Sequence, residues 1–481
     1  MDRATIERID AFAYRHRVSE VMTTPVVTLS PDASLEAATR LMREARISAL
    51  ITLDEQGAPS GILTERDVLT AIAREGAAAL ARPIGELMSR PVVAVPPDAF
   101  LHVALARMER HSLRHLAVTG SGSGKLLGLL SERALLKQRA AAALALGDDI
   151  AAAADAGALS AAYGRLPQLA RGLLAEGLGA SEIAQVISDA LADMTARAAA
   201  LAAAAMEAEG RGPAPAPWAF LVLGSAGRGE SLLAADQDNA LVQGGGEELD
   251  PWFAELGARS ADLLNGAGLV YCPGGVMAKN PGCRHGLEGW KSEIDHWIDE
   301  RQPIDLLNAD IFYDFRPVQG DRALAEELRT YAMDAAKVPA FLMRLAHMMD
   351  ASSPALTPIL GRFRVKAGRV DLKRGGLRSL VAAARILALK IGAPALSTAG
   401  RFAAATEAGL LAPDDLVLFR DAAERLLRLI LEQQLVDIEA GRPPGTTIEI
   451  RRLPRLERER LRAALLAVGR IDLVVRDALG R

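Results

Sequence analysis

Cysteine, aromatic residues and long apolar runs are all scarce in this chain, and each scarcity excludes a class of protein. Only two of the 481 residues are cysteines, Cys272 and Cys283, too few for a disulfide framework and without the paired spacing of a zinc site. Aromatic residues make up 4%, so we expect mainly aliphatic, helical cores. No apolar stretch approaches the roughly 20 residues that span a bilayer, and the N-terminus lacks the apolar core of a signal peptide. The sequence therefore predicts a cytoplasmic protein without a membrane partner.

A strong excess of either charge is also missing. The formal net charge is -4, without the basic footprint that nucleic-acid binding usually leaves, so nucleic acid is not an expected partner. A local basic patch stays compatible with this balance. At the usual ~100–200 residues per domain, the length predicts about three domains.

What the sequence does contain is an internal duplication in its first third. Met22 is matched by Met88, and Pro31-Asp32 by Pro97-Asp98, each 66 positions later. The stretch 61–64 recurs at 128–131 after 67 positions, so the second unit gained one loop residue. The first unit predicts a helix from Leu35, strands over 49–53 and 61–63, and a closing helix from Glu65.

On these residues, the region Val18–Lys137 resembles a tandem pair of CBS domains. In that family two units pack as a pseudo-dimer and bind adenosine nucleotides in their clefts. A Thr or Ser, with an Asp three residues later, contacts the ribose. The resemblance implies Thr64 and Asp67 in the first cleft, whereas the second keeps Ser131 but has Ala134 at the Asp position. AMP, ADP or ATP is thus an expected ligand; the alternative is a pair of empty clefts that serves for dimerisation, and we expect a homodimer through this pair.

A second group of motifs follows an alanine-rich helical stretch and a proline-rich linker at 211–217. A predicted buried strand, Trp218–Leu223, leads into the glycine-rich loop Gly224–Glu230. Asp236 and Asp238 follow on a second predicted strand, where residues i and i+2 face the same side. Two neighbouring carboxylates suit Mg²⁺ or Mn²⁺ bridging nucleotide phosphates. Two such metals about 4 Å apart could stabilise the attacking and leaving oxygens of an in-line displacement.

This order of strand, Gly-Ser, helix and Asp-x-Asp resembles the polymerase-β-like nucleotidyltransferase superfamily. The wider chain resembles the nucleotidyltransferase family that occurs fused to CBS pairs, and is similar to the catalytic domain of bacterial PII-protein uridylyltransferase. The segments that carry the resemblance are Cys272–Pro281, Gly289-Trp290, Asp310–Arg316 and Asp371–Gly376. It implies a magnesium-dependent transferase that moves an NMP group from an NTP to an acceptor, such as a protein. No His-Asp dipeptide is present, so the hydrolase domain of the uridylyltransferase has no counterpart here.

The resemblance also implies further site residues. The superfamily supplies a third carboxylate from a later strand; Asp314 is the candidate for this third metal ligand and general base, and Asp310 is the alternative. Expected nucleotide- and phosphate-binding residues are Gly224, Ser225, Arg228, Glu230, Lys279 and Asn280. Arg228 could instead form a salt bridge with Glu230. Lys279 and Asn280 could instead be ordinary loop residues. Lys373 and Arg374 could face the triphosphate or lie on a solvated turn.

The predicted architecture is multidomain, α/β plus all-α. It comprises an N-terminal extension (1–17), a tandem CBS pair (18–138, units 18–75 and 84–138), a helical connector (139–210), a nucleotidyltransferase domain (211–335) and a C-terminal helical bundle (336–481). Two functions compete: an enzyme regulated by its CBS pair, and a catalytically weak nucleotide-sensing protein that acts through its CBS domains. A nucleic-acid polymerase such as a CCA-adding enzyme fits the acidic balance poorly.

Overall fold

The computed structural model describes residues 16–132, 134, 145–299, 311–350, 355–357 and 362–480. The chain divides into two compact units, 1–144 and 145–481, and each is described by itself. Within the described residues, no helix combines the length and apolar character needed to cross a bilayer.

The first unit consists of two copies of one helix-and-strand pattern. The first copy contains α1 (Leu35–Ala45), β1 (Ala49–Leu53), β2 (Pro59–Thr64) and α2 (Glu65–Glu75); the second contains β3 (Ala94–Val95), α3 (Leu101–His111), β4 (His115–Thr119) and β5 (Leu126–Ser131). β1 pairs antiparallel with β2, and β4 with β5. These bounds confirm the helices and strands that the repeat predicts.

The two copies exchange their leading segments. Val18 and Val21 pack in the core of the second copy, whereas Ile84 and Met88 pack in the core of the first. Both exchanges depend on a glycine, since a Cβ at Gly61 would lie 2.1 Å from the Met88 sulfur. A Cβ at Gly128 would lie 2.5 Å from the Met22 sulfur, which makes the contact symmetric. The matching positions of the sequence repeat therefore correspond to two reciprocal packing contacts between the copies.

The second unit is built around a small mixed sheet. Its strands are β6 (Trp218–Val222), β7 (Asn239–Gln243), β8 (Arg284–Gly286) and β9 (Arg316–Gly320), in the order β8-β7-β6-β9. β6 is antiparallel to both β7 and β9, and β7 is parallel to β8. β6 and β7 are buried almost throughout, as expected from the apolar residues that make up β6 and the centre of β7.

Helices surround this sheet and continue into a C-terminal bundle. They are α4 (Ala156–Tyr163), α5 (Leu166–Ala175), α6 (Ala180–Ala208), α7 (Gly224–Arg228), α8 (Asp250–Gly266), α9 (Leu287–Asp299), α10 (Arg322–Ala335), α11 (Pro339–Asp350), α12 (Arg378–Ile391), α13 (Thr398–Glu407), α14 (Pro413–Glu439), α15 (Arg455–Val468) and α16 (Ile471–Gly480). A short ribbon joins β10 (Arg369–Asp371) to β11 (Thr447–Glu449), and a π-helical turn over Lys373–Leu377 precedes α12. One apolar core runs from the sheet into the bundle, from Leu221 through Phe315 and Phe341 to Phe419.

The segment around Asp314 differs from the sequence prediction. Residues 311–312 are helical, 313–314 form a turn, and the strand begins only at Arg316. The aromatic side chains that suggested a strand instead fill the core, where Phe312 stacks on Trp290 with 4.8 Å between ring centroids. Asp314 therefore lies on a turn and not on a strand.

Candidate active site

Asp236 and Asp238 lie side by side where the chain enters β7. The residues that alternate with them are anchored in the protein body: the buried Gln237 side chain donates to the carbonyls of Ala261 (3.0 Å) and Leu269 (2.8 Å). Asn239 Oδ1 accepts from the Ala278 N–H at 2.8 Å. Because successive side chains of an extended segment point to opposite sides, these anchors direct both carboxylates to the other side.

The glycine-rich loop forms a single helical turn, α7, which contacts this acidic pair. Gly224 has a φ of 55°, a conformation that favours glycine, and a Cβ there would lie 2.6 Å from Asp238 Oδ2. At the other end of the turn, a Cβ on Gly227 would lie 1.9 Å from the Asp314 carbonyl oxygen. The turn is therefore held between Asp238 and the Asp314 backbone, and each contact requires a glycine.

A thiol completes the cluster of possible metal ligands. Among the described residues, Asp236, Asp238 and Cys272 each offer a ligand atom, and these atoms lie within 4.8 Å of one another. All three side chains are half-buried. Neither Asp314 nor any other acidic residue of the described part of the chain belongs to this group.

Charge and burial perturb this cluster. Burial, with the neighbouring charge of Asp236, raises the pKa of Asp238 to about 6. Burial and the Asp238 carboxylate raise the pKa of the Cys272 thiol to about 11. Two carboxylates that oppose each other's ionisation are stabilised when a cation binds between them. The pair therefore fits Mg²⁺ or Mn²⁺, which prefer oxygen ligands, whereas a thiol is not a usual ligand of either ion.

The predicted third acid, Asp314, is the centre of a buried arginine cluster. Its carboxylate is 0% exposed and accepts hydrogen bonds from Arg385 Nε (3.0 Å) and Arg401 Nη1 (2.7 Å), and from Arg228 Nη1. Burial alone would raise the pKa of Asp314, but the guanidinium groups of Arg385, Arg228 and Arg401 outweigh it and hold that pKa well below its usual range. The contacts of Asp314 are thus with arginines, and it lies outside the three-residue group of Asp236, Asp238 and Cys272. Asp310, the alternative, lies outside the described residues.

Two predicted phosphate-binding residues, Arg228 and Glu230, belong to the same arginine cluster. Arg228 Nε donates to Glu230 Oε2 at 2.8 Å, which is the salt bridge considered as the alternative from the sequence. Glu230 in turn accepts from the Thr398 N–H (2.6 Å) and hydroxyl (3.0 Å) at the start of α13. Ser225 shares a hydrogen bond with Ser231, with 2.8 Å between the two oxygens.

The remaining predicted residues lie on the loop between α8 and β8. Lys279 Nζ lies 3.6 Å from Asp262 and 4.3 Å from the centre of the Tyr271 ring. Asn280 Nδ2 donates to the Gly275 carbonyl at 2.6 Å, so it shapes the loop that carries Cys272. From the C-terminal bundle, the exposed Lys373 is close enough to Asp238 to lower its pKa.

In the first unit, the predicted ribose-binding pair is formed in the first copy only. Thr64 caps α2, and its hydroxyl donates to Asp67 Oδ2 at 2.7 Å. Ser89 also reaches Asp67, with 3.3 Å between its hydroxyl and Oδ1. Ser131 accepts from the Ala134 N–H at 3.1 Å, with no acidic side chain at that position.

Family models match almost the whole of this arrangement. Residues 18–74 and 84–141 match the CBS domain, residues 164–304 match "Putative nucleotidyltransferase DUF294", and residues 339–478 match "Putative nucleotidyltransferase substrate binding domain". The chain belongs to the CBS-linked nucleotidyltransferase family. Its architecture is therefore a CBS pair, a nucleotidyltransferase domain and a helical C-terminal region, as the sequence predicts.

Individual relatives of this chain each match about a quarter of it. A CBS domain-containing protein of Bacillus subtilis (strain 168) is 33% identical over 24% of this chain and 79% of the relative. An uncharacterised 17.7 kDa protein of Acidianus ambivalens is 31% identical over 25% of this chain and 71% of the relative. A CBS domain protein from Pyrobaculum aerophilum, solved in complex with AMP, is 29% identical over 26% of this chain and 94% of that chain, with a TM-score of 0.24.

Sequence reasoning missed the residues that come from distant segments. The site predicted from the sequence gives Cys272 no role, although its place in Cys-Pro-Gly-Gly, within a loop that carries the resemblance, is a usable signal. Arg385 and Arg401 gave none, because each lies among helical residues with no distinguishing pattern.

Proposed function

We propose that this protein is a divalent-metal-dependent nucleotidyltransferase that transfers an NMP group from an NTP to an acceptor, with a protein side chain as the leading acceptor class. The supporting observation is the placement of Asp236 and Asp238 on one side of the chain beneath the Gly224 turn. Family membership supports the reaction class. The identity of the transferred nucleotide, an acceptor like that of the uridylyltransferase and a cytoplasmic location all belong to this proposal.

In this mechanism Asp236 and Asp238 would hold Mg²⁺ or Mn²⁺. When bound, the metal supplies positive charge to the phosphates of the NTP as charge develops during transfer. Gly224 keeps the space beside Asp238 free of a side chain, so the backbone can approach the phosphates. Lys373 supplies a cation facing the same site and is exposed enough to contact the triphosphate.

The arginine cluster limits what Asp314 can do. A carboxylate that is fully buried and bonded to three guanidinium groups is held ionised and is shielded from substrate. We therefore propose that Asp314 fixes the position of the loop and does not act as the general base. The sequence-based assignment of Asp314 as a metal ligand stays an untested prediction, and the experiments below separate the two roles.

The direct test is labelling. The protein is incubated with each of the four radiolabelled NTPs, Mg²⁺ or Mn²⁺, and cell extract, and labelled species are identified by mass spectrometry. We expect label on one acceptor with wild type and with Asp421→Asn, which alters an exposed acid on α14, but not with Asp236→Asn or Asp238→Asn. Equal labelling by wild type and both active-site variants, or none by any protein, would refute the enzyme.

We further propose that an adenine nucleotide binds the first CBS cleft and regulates transfer. The supporting observation is the Thr64–Asp67 pair, whose hydroxyl and carboxylate can turn from each other to ribose hydroxyls. Calorimetry with AMP, ADP and ATP tests this: Asp67→Asn should weaken binding at least about tenfold, since a lost charged hydrogen bond is worth about 1.5–3 kcal/mol, whereas Ser131→Ala should leave it unchanged. Heat that is identical in wild type and Asp67→Asn would contradict the assignment.

One observation favours the alternative, a catalytically weak nucleotide sensor: no third carboxylate accompanies Asp236 and Asp238 among the described residues. This alternative predicts calorimetric binding of nucleotide without labelling of any acceptor. The two assays together therefore separate enzyme from sensor.

A further inference from the structure

The loop that follows α8 brings a soft ligand to a site whose other ligands are hard. Cys272 Sγ lies within 4.8 Å of the ligand oxygens of both Asp236 and Asp238. A divalent cation held by thiolate and carboxylate ligands has bond lengths of about 2.0–2.3 Å, so small side-chain rotations would bring all three atoms onto one cation.

The backbone around Cys272 keeps the thiol at this place. Tyr271 forms a parallel bridge with Gln237, the residue between the two acids, and the Gln237 N–H donates to the Val270 carbonyl at 3.0 Å. On the other side the Gly275 N–H donates to the Cys272 carbonyl, also at 3.0 Å. These bonds hold the chain on either side of Cys272 and join it, through Val270 and Tyr271, to the extended residues that carry the two acids.

From this geometry we propose that Asp236, Asp238 and Cys272 form a three-ligand site for a thiophilic divalent cation, of the Zn²⁺ and Cd²⁺ class, which competes with the hard cation for the same two carboxylates. Soft thiolate ligands favour such ions, whereas carboxylates alone suit Mg²⁺ and Mn²⁺. On binding, a metal–sulfur bond replaces the S–H bond and the proton passes to solvent. The thiophilic ion would displace the hard one, so the site would carry an inhibitory metal specificity of its own. The inference rests on the proposed function only in taking the two acids as metal ligands.

The chain offers a matched control. Cys283 is the only other cysteine, lies on the same loop and is also partly buried, but it is outside the three-ligand group. Its thiol reaches the Gly275 carbonyl at 3.9 Å. Cys272→Ser and Cys283→Ser therefore each leave one partly buried thiol on this loop, and only the first removes the proposed ligand.

The experiment titrates chelator-treated full-length protein with Cd²⁺ and follows the ultraviolet thiolate-to-cadmium charge-transfer band. Wild type and Cys283→Ser should develop the band to saturation at one Cd²⁺ per chain, and Cys272→Ser should not. Asp236→Asn should weaken Cd²⁺ binding at least about tenfold, and excess Mn²⁺ should shift the Cd²⁺ midpoint upward. Native tryptophan fluorescence in each variant shows that folding is retained.

Three outcomes would overturn the inference: a band that survives Cys272→Ser, a band lost with Cys283→Ser, or Cd²⁺ binding indifferent to Mn²⁺. Binding of Mn²⁺, followed by the loss of its free electron-paramagnetic-resonance signal, is measured alongside. Mn²⁺ binding and acceptor labelling without a cadmium band would reject the thiol ligand and leave the proposed function intact. A Cys272-dependent band without any labelling would reject the transferase and leave the metal site.

Discussion

Replacing Asp314 with asparagine keeps the shape of the side chain and removes the negative charge shared by three arginines. Arg228 would retain Glu230 as a partner at 2.8 Å, whereas Arg385 and Arg401 would lose the carboxylate that bonds them both. Removing one partner of a buried ion pair typically costs about 3–5 kcal/mol. Because two buried guanidinium groups are affected, we expect Asp314→Asn to lower the free energy of unfolding by about 4 kcal/mol.

Urea unfolding followed by tryptophan fluorescence measures this loss in the right part of the molecule. All four tryptophans, Trp218, Trp252, Trp290 and Trp297, lie in the second unit, so the signal excludes the CBS pair. Asp437→Asn is the matched control, since Asp437 is also buried and binds Arg369 (3.0 Å) and Arg442 (2.7 Å) away from the glycine-rich loop. Both variants should be destabilised, but only Asp314→Asn should alter Mn²⁺ affinity, through the displaced Gly224 turn.

The pH dependence has a definite sign. The native pKa of Asp314 is held below its unfolded value of about 4, so its contribution to stability is complete above that value and is lost as the pH falls toward the native pKa. The difference between wild type and Asp314→Asn should therefore stay constant from about pH 8 to 5 and shrink below about pH 4. A loss under about 1 kcal/mol at neutral pH, together with abolished Mn²⁺ binding, would refute the structural role and restore Asp314 as a metal ligand.

Three further changes test other contacts. Gly61→Val should destabilise the first unit by about 1–3 kcal/mol, because the new side chain would collide with Met88. Met88→Ala in the same chain should recover part of this loss. Calorimetric melting measures both variants, and an unchanged melting temperature in the single variant would contradict the interlocked packing. Glu230→Gln should cost about 1–2 kcal/mol in tryptophan-monitored unfolding, since the charge that caps Thr398 and pairs with the loop is lost, while a neutral result would deny the cap. Burial lowers the pKa of His115, and the charge of nearby Arg114 lowers it further. The stability of the first unit should therefore fall as the pH drops below about 6.5. His115→Gln should make stability less dependent on pH in this range, and an unchanged dependence would show that another group is responsible.

Most of the correct sequence predictions rest on the local periodicity of apolar and polar residues. The repeat fixed the strands and helices of the first unit because both copies follow the same alternation of apolar residues. The predicted alternation also agrees with Gln237 and Asn239 being anchored on the side opposite to Asp236 and Asp238, although the strand itself begins only at Asn239, after both acids. These features depend on neighbours in the chain, so a pattern of a few residues encodes them.

The environment of Asp314 could not be read in this way. Its partners Arg385 and Arg401 lie 71 and 87 positions further along the chain and arrive only when the C-terminal bundle packs on the sheet. The aromatic run beside it is compatible with a strand or with core packing, and burial decided for the core. A carboxylate predicted as catalytic from its sequence context is thus surrounded by charges that no local sequence pattern indicates.

The interlocked packing of the two CBS copies limits how they can be transferred from one protein to another. Each copy completes its core with a segment that the chain supplies from the start of the other, Val18–Val21 in one direction and Ile84–Met88 in the other. A single copy, as defined by the sequence repeat, is therefore not a transferable module. Gene fusion, deletion or domain grafting can move this unit only as the complete pair, including the residues that precede its first helix.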